Sequence, residues 1–97
     1  MSSLKPINEL LEKFIKKRKL GQKFNEAKAI VLWQEVVGKK ISENASPTKV
    51  NTGILFVSVK DTVWLNELNC LKPSIIEQLN SRIGQKTIKD IKFYLKY

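Results

Sequence analysis

Two kinds of hydrophobic spacing alternate along the chain, and the changes between them divide it into elements. Apolar residues three or four positions apart predict an amphipathic helix over about 6–20, which Gly21 is expected to end. The same spacing resumes after Asn25, a favourable N-cap residue, and predicts a second helix to about Asn44. Because the spacing holds across Gly38, we expect this glycine to mark a close backbone approach within the helix.

Alternation of apolar and polar residues replaces the helical spacing in the second half of the chain, as in half-buried strands. Strands are predicted at 48–51 and 54–60, joined by a turn that contains Gly53. Helical spacing returns directly afterwards, so Asp61 is predicted to cap a third helix that ends at Gly84.

A last strand over about 87–96 completes the predicted elements. Pro73 lies inside the third helix and is expected to kink or split it near Asn69, because proline removes a backbone hydrogen bond.

The element order is ααββαβ, which predicts an α+β fold with a three-stranded sheet and helices packed on one face. The length of 97 residues suits one domain, expected to span 1–97.

Both tryptophans fall on apolar stripes of predicted helices, which favours core packing over contact with a ligand. Trp33 shares its stripe with Ile30 and Val31, and Trp64 begins the stripe of the third helix. Replacing either tryptophan by alanine is expected to cost about 3–5 kcal/mol.

The residues that carry most enzyme and metal chemistry are missing from the sequence. There is no histidine, the single cysteine Cys70 cannot build a zinc site, and no glycine-rich phosphate loop is present. We therefore expect no enzyme activity, metal, cofactor or small-molecule substrate.

The lone cysteine excludes an intrachain disulfide and is typical of the reducing cytoplasm, and no apolar run is long enough to cross a membrane.

Positive charge is concentrated near the predicted junction of the first two helices. The net charge is +9, from 18 basic and 9 acidic residues. Seven cations in the segment 13–28 stand against Glu26 alone; they are Lys13, Lys16, Lys17, Arg18, Lys19, Lys23 and Lys28. Dispersed charge would solubilise the chain equally well, so the concentration favours binding to the phosphates of DNA without reading of base sequence.

The outward face of the predicted sheet is a second candidate surface. Its aromatic side chains, Phe56 and Tyr94, alternate with Lys60, Lys92 and Lys96. Aromatic rings among cations suit stacking of unpaired bases, so an RNA-binding module is one alternative function. A dimer contact, or cover by the N-terminal helix, would explain the same face. A protein-interaction domain for an acidic partner is the other alternative.

Three segments in fixed order resemble the DciA family. They are 33–38 (WQEVVG), 53–59 (GILFVSV) and 64–68 (WLNEL), and the order continues through Leu79-Asn80, Gly84 and the closing segment 91–93 (IKF). The resemblance covers about residues 7–97. It implies a fold like a type II KH domain, in a bacterial protein that binds DNA and assists loading of the DnaB-type replicative helicase.

The resemblance also implies that DNA faces the cations around the helix–helix junction, chiefly Lys16, Lys17, Arg18, Lys19 and Lys23. Two departures from the family pattern change what is expected. No two glycines lie three apart, so the GxxG clamp with which KH domains hold RNA is missing. Longer members carry a flexible tail that engages the helicase, whereas this chain is expected to have no tail after its last strand.

Overall fold

The computed structural model describes the backbone of residues 5–96 and the side chains of residues 19–96. Its elements are α1 (Lys5–Val37), α2 (Lys39–Asn44), β1 (Ala45–Asn51), β2 (Ile54–Val59), α3 (Thr62–Ile83) and β3 (Asp90–Leu95). The sheet has the order β1-β2-β3, with β1 antiparallel and β3 parallel to β2. The predicted α+β, KH-like ααββαβ fold is confirmed, and the long helices pack on one face of the sheet.

The first helix is longer than the sequence pattern predicts. α1 runs unbroken through Gly21 and Asn25, so the predicted stop, the second N-cap and the junction between them are wrong. A glycine inside a helix costs only about 1 kcal/mol relative to alanine. The surrounding lysines, glutamines, leucines and alanines are strong helix formers, and they outweigh that cost.

Gly38 is the residue that ends α1. Its φ of 90° lies in the left-handed region, and its N–H donates to the carbonyl of Gln34 at 2.9 Å. No heavy atom lies within 4 Å of the place where its Cβ would be, so the predicted close backbone approach is wrong. Helical structure resumes at once, since Ser42 N–H donates to the Gly38 carbonyl at 3.0 Å, and this single break separates α1 from α2.

β1 begins at Ala45, three residues before the predicted start, and contains Pro47. A proline is tolerated there because β1 is an edge strand, and the pairing with β2 is irregular between Pro47 and Lys49.

The predicted ends of the third helix are confirmed. Asp61 Oδ1 accepts from Trp64 N–H at 2.9 Å, and Gly84 ends the helix at φ 90°. The helix is continuous through Pro73, so the predicted split does not occur.

The core lies between the helices and the inner face of the sheet. Its buried side chains are Ala29, Trp33, Ala45, Leu55, Val57, Val59, Leu68, Ile75, Leu79, Ile83, Ile88 and Ile91. Trp33 is 2% exposed, which confirms its predicted role, whereas Trp64 is only partly buried against the core. Val31, predicted on the same apolar stripe as Trp33, is instead 80% exposed.

The turn between β1 and β2 is tied to both of its neighbours. Thr52 and Gly53 both have positive φ, 49° and 83°, as a two-residue type I′ hairpin requires. Gly53 N–H donates to Glu26 Oε2 of α1 at 3.0 Å, and its carbonyl accepts from Lys89 N–H at 2.7 Å. This glycine therefore joins α1, the hairpin and the segment before β3.

Two glycine-to-alanine substitutions are expected to have opposite effects on stability. A Cβ at Gly53 would lie 3.2 Å from the Thr87 carbonyl and from the Lys89 side chain, at a positive φ, so Gly53→Ala is expected to cost about 1–3 kcal/mol. Gly21 is exposed within a helix with no atom near its Cβ position, so Gly21→Ala is expected to stabilise by about 0.5–1 kcal/mol. Urea denaturation of both variants measures the difference, and equal midpoints would contradict it.

Candidate nucleic-acid interface

Three separate segments meet at one end of the domain: residues 19–26 of α1, the hairpin turn, and the loop 84–89. The parallel pairing of β2 with β3 causes this meeting, since Ile54 lies beside Asp90 in the register. The hairpin turn, which precedes Ile54, and the loop 84–89, which precedes Asp90, are therefore neighbours. Asn25 of α1 holds the loop by donating from Nδ2 to Gln85 Oε1 at 3.1 Å. We call this end of the domain the basic end.

The acidic residue of the basic segment is nearly buried, although it forms part of the lining of a groove between α1 and β1. Glu26 is 9% exposed, and its carboxylate accepts the Gly53 N–H at the centre of the meeting point. A charge-assisted hydrogen bond of this kind compensates for partial burial of the carboxylate. Consequently, Glu26 holds the basic end together while the lysines around it remain on the surface.

An open groove lies between α1 and β1. Lys19 and Lys23 line its α1 side, and Asn51 and Thr52 line the opposite side. Among residues 19–96 these lysines have no carboxylate within 4.0 Å. Glu26 also contributes to the lining, but it is nearly buried. Two unpaired cations and two polar side chains beside one groove therefore form a site for anionic oxygen atoms.

A second groove lies on the other side of α1 residues 21–25, against the loop 84–89. Lys86 and Lys89 supply its positive charge, and Gln22 and Asn25 supply polar side chains. The two grooves flank the same stretch of helix, so the basic end presents four lysines, two from α1 and two from the loop 84–89.

The predicted DNA-binding residues do not all lie in one place in the structure. Lys19 and Lys23 lie in the α1–β1 groove. Lys28 lies away from it, with Nζ 4.9 Å from the centroid of the Phe24 ring. The backbone of α1 includes the remaining four positions, but their side chains lie outside the described residues; these are Lys13, Lys16, Lys17 and Arg18.

Sequence reasoning missed Lys86 and Lys89. Each is isolated in the sequence from the charged segment 13–28, and only the pairing of the strands brings it to the basic end. The available signal was the βαβ order, which favours parallel pairing of β2 with β3 and places the residues preceding both strands at one edge.

The residues of the predicted base-stacking surface lie on the outer face of the sheet. Phe56 lies beside Lys92 and Ser58 beside Tyr94 in the β2–β3 register. Lys60 and Lys96 line one shallow depression at the end of the same face. The buried sides of α1 and α3 pack on the opposite face, so cover by the N-terminal helix, one of the alternative explanations of this face, is not seen for its residues 19–37.

The two aromatic rings on this face are held by their neighbours. Tyr94 Oη donates to Thr48 Oγ1 of β1 at 2.9 Å, so the tyrosine reaches across the intervening strand. Tyr94 remains 42% exposed. Lys49 Nζ lies 4.9 Å from the centroid of the half-buried Phe56 ring. The face therefore offers an ordered ring with cations around it.

Three structural features are not found in the described part of the chain. Side chains of residues 19–96 form no cluster of three or more metal-ligating residues, and none of their buried polar atoms lacks a hydrogen-bond partner. No helix within residues 5–96 combines the length and the apolar character that a membrane span requires.

Comparison with known proteins adds a family relationship. The family model described as "Dna[CI] antecedent, DciA" matches residues 6–93. Similar proteins include a UPF0232 protein of Mycobacterium tuberculosis, 26% identical over 87 residues, and one of Rhodococcus jostii, 29% identical over 87 residues. Each alignment covers 90% of this chain and 46% of the relative, so the chain spans about half the length of the curated relatives it matches. These matches confirm the resemblance carried by segments 33–38, 53–59 and 64–68.

Proposed function

This chain belongs to the Dna[CI] antecedent family, DciA, and on that premise we propose that it is a non-enzymatic adaptor that binds DNA and assists the loading of a DnaB-type replicative helicase. The observation that carries the DNA-binding part is the basic end, where four surface lysines lie around a nearly buried glutamate. The proposal places the protein at the bacterial chromosome, in the cytoplasm.

Attachment to DNA is electrostatic in this proposal. The lysines present single positive charges to phosphate oxygens, which fix position on the duplex and carry no sequence information. Binding should therefore tolerate any sequence. If four lysines each neutralise one phosphate, the logarithm of the affinity for duplex DNA falls against the logarithm of salt with a slope of about −3 to −4.

We propose that α1 extends this contact beyond the basic end. Residues three or four apart in a helix lie on the same face, so positions 16, 19 and 23 are aligned along one side of α1. Because α1 is a single helix, consecutive positions 16–19 point in different directions around it. The contact is accordingly a line along the helix and not the compact cluster that a helix–helix junction would provide.

The direct test is a fluorescence-anisotropy titration of single-stranded, double-stranded and forked DNA at two salt concentrations. We expect binding to all three at low salt and a steep loss at high salt. A purified DnaB-type helicase of the same organism, added to the protein on forked DNA, tests the loading step by the amount of helicase retained. Absence of any DNA binding at low salt would overturn the proposal.

A second candidate function, binding of single-stranded RNA on the outer face of the sheet, is favoured by one observation. The Tyr94 ring is fixed by its hydrogen bond to Thr48 and still 42% exposed, which is the arrangement needed to stack an unpaired base. Lys60, Lys92 and Lys96 surround it with positive charge.

Alanine substitutions at the two rings separate these functions. Phe56→Ala with Tyr94→Ala removes two stacking platforms, each worth about 1–3 kcal/mol per base, so the RNA function predicts at least a tenfold loss of affinity for an unpaired RNA oligonucleotide. Affinity for duplex DNA should not change. Tyr94→Phe is the matched control, because it keeps the ring and removes only the hydrogen bond to Thr48. Unchanged RNA affinity in the double variant would exclude this face.

A further inference from the structure

One face of α1 carries an apolar stripe that no part of the described structure covers. Leu20, Phe24, Ala27 and Val31 are spaced by four, three and four residues, so they lie in line along the helix. Leu20 is 67% exposed, Phe24 64% and Val31 80%, and Ala27 is also exposed. We call these four residues the α1 stripe.

The α1 stripe lies opposite the buried side of the same helix. Glu26, Ala29 and Trp33 face the core, and they are 9%, 0% and 2% exposed. With about 100° between successive residues, the stripe is centred on the solvent side of the helix. The core therefore does not need these side chains. A contiguous row of large exposed apolar residues is uncommon on a protein that acts alone and is typical of a surface that binds another protein.

Positive charge borders the α1 stripe on both sides. Lys23 lies on the side of the α1–β1 groove, and Lys28 lies on the other side with its ammonium group over the Phe24 ring. The acidic residue in the stretch 19–34 is Glu26, which is buried. Glu35, just beyond the stripe, is engaged with Arg82 of α3 at 3.2 Å. The surface around the stripe is therefore apolar at its centre and cationic at its edges.

A partner that fits this surface has an apolar stripe of its own and negative charge along both edges. We propose that the α1 stripe binds an amphipathic helix of another protein, with apolar residues at three- and four-residue spacing and aspartate or glutamate on both flanks. Packing of one helix along another buries the exposed rings and methyl groups, and the flanking carboxylates pair with Lys23 and Lys28. This surface adjoins the α1–β1 groove proposed for DNA, since Leu20 and Ala27 also line that groove. Phe24 and Val31 lie outside it.

A second copy of the chain fits the α1 stripe poorly. An antiparallel pairing of two stripes places Lys23 of each copy opposite Lys28 of the other, so like charges meet twice. A parallel pairing brings each of these lysines beside its own counterpart. The net charge of +9 adds a repulsion that extends over the whole surface. Charge thus selects an acidic partner over self-association.

The experiment uses a synthetic peptide of defined pattern as the probe. The peptide is about 18 residues long, with leucines at three- and four-residue spacing and glutamates on both flanks. A control peptide has the same composition in an order that destroys the apolar face. Binding of each fluorescent peptide to the whole chain is followed by anisotropy, and amide chemical shifts of the isotope-labelled chain report the contact region.

We expect the patterned peptide to shift the amides of residues 20–31 and the control peptide to leave them unchanged. Phe24→Ser with Val31→Ser should weaken peptide binding at least about tenfold, and so should Lys23→Glu with Lys28→Glu. Val63→Ser is the matched control, because Val63 is 76% exposed on α3 and lies outside the stripe. The serine variants should keep the thermal melt and the DNA affinity of the parent chain, which separates this inference from the proposed DNA binding.

Three results would overturn the inference. The first is absence of peptide binding up to millimolar concentration. The second is binding that Phe24→Ser with Val31→Ser does not weaken. The third is self-association of the parent chain, measured by sedimentation and abolished by the same two substitutions, because it would show that the stripe is occupied by a second copy.

Discussion

Replacing Lys19 and Lys23 together by glutamate is expected to reduce the affinity for duplex DNA roughly 100-fold at low salt. Both lysines are exposed in the α1–β1 groove and have no carboxylate within 4.0 Å among the described residues, so each is available to a phosphate. Loss of two phosphate contacts should also make the salt dependence shallower, by about 1 in the slope for each lysine. Anisotropy titrations of the parent chain and the variant at several salt concentrations measure both effects.

The matched control for this experiment is Lys39→Glu with Lys40→Glu. These lysines also lie on a helix and are exposed, and the double change lowers the net charge by the same four units. They follow the break at Gly38, and the stretch of α1 from Lys23 to Val37, fourteen residues further along, alone spans about 21 Å, at 1.5 Å per residue. We expect the control to weaken DNA binding only several-fold, through the overall field. An equal loss in both variants would show that net charge, and not the basic end, determines the binding.

Thermal melting of the two variants separates binding from folding. The replaced lysines make no ion pair in the described structure, and exposed substitutions of this kind usually change stability by no more than about 0.5 kcal/mol. Both variants should therefore melt close to the parent temperature. A large fall in melting temperature for Lys19→Glu with Lys23→Glu would mean that these side chains support the groove structurally.

The local parts of the fold were predictable because a few neighbouring residues determine them. The change from strand to helix at Asp61 rests on one capping hydrogen bond, and the helix end at Gly84 rests on one backbone angle that glycine adopts readily. The hairpin turn at Gly53 is of the same kind. In each case the residue that identifies the feature also makes the interaction that creates it.

The continuity of α1 was not predictable from the same kind of signal. Gly21 and Gly38 are the same residue type in similar polar surroundings, yet only Gly38 ends a helix. The difference arises from the packing of the residues that come after each glycine. Beyond Gly38 the chain must turn so that Ala45 can begin β1 beneath Trp33, whereas beyond Gly21 the helix continues until Glu26 and Ala29 reach the sheet. Tertiary packing decides between the two glycines.

The candidate site was predictable only in part for a related reason. The charged segment is visible in the sequence, but the burial of Glu26 depends on a turn that lies 27 residues later in the chain. Lys86 and Lys89 reach the basic end through the pairing of β2 with β3 and through the loop that Asn25 holds. Composition shows how much charge the chain carries, and long-range pairing determines where that charge is placed.

The position of Trp33 at the junction of α1 and β1 leads to the largest stability effect that we expect. The indole is 2% exposed, and its Nε1–H donates to the Ala45 carbonyl at 3.0 Å, at the first residue of β1. Trp33→Ala removes the largest of the fully buried side chains and leaves that carbonyl without its partner. We expect a loss of about 3–5 kcal/mol in the free energy of unfolding, measured as a lower urea midpoint.

Trp33→Phe separates ring burial from the hydrogen bond, and Trp64→Ala shows how the cost depends on burial. Trp33→Phe keeps an aromatic ring in the core but removes the hydrogen bond to the Ala45 carbonyl, so part of the loss should remain, about 1–3 kcal/mol. Trp64→Ala should cost less than Trp33→Ala, because Trp64 is only partly buried, and the sequence-based expectation of equal costs is therefore revised. If Trp33→Phe proves as stable as the parent chain, the hydrogen bond to β1 contributes nothing measurable, and ring burial alone anchors α1 to the sheet.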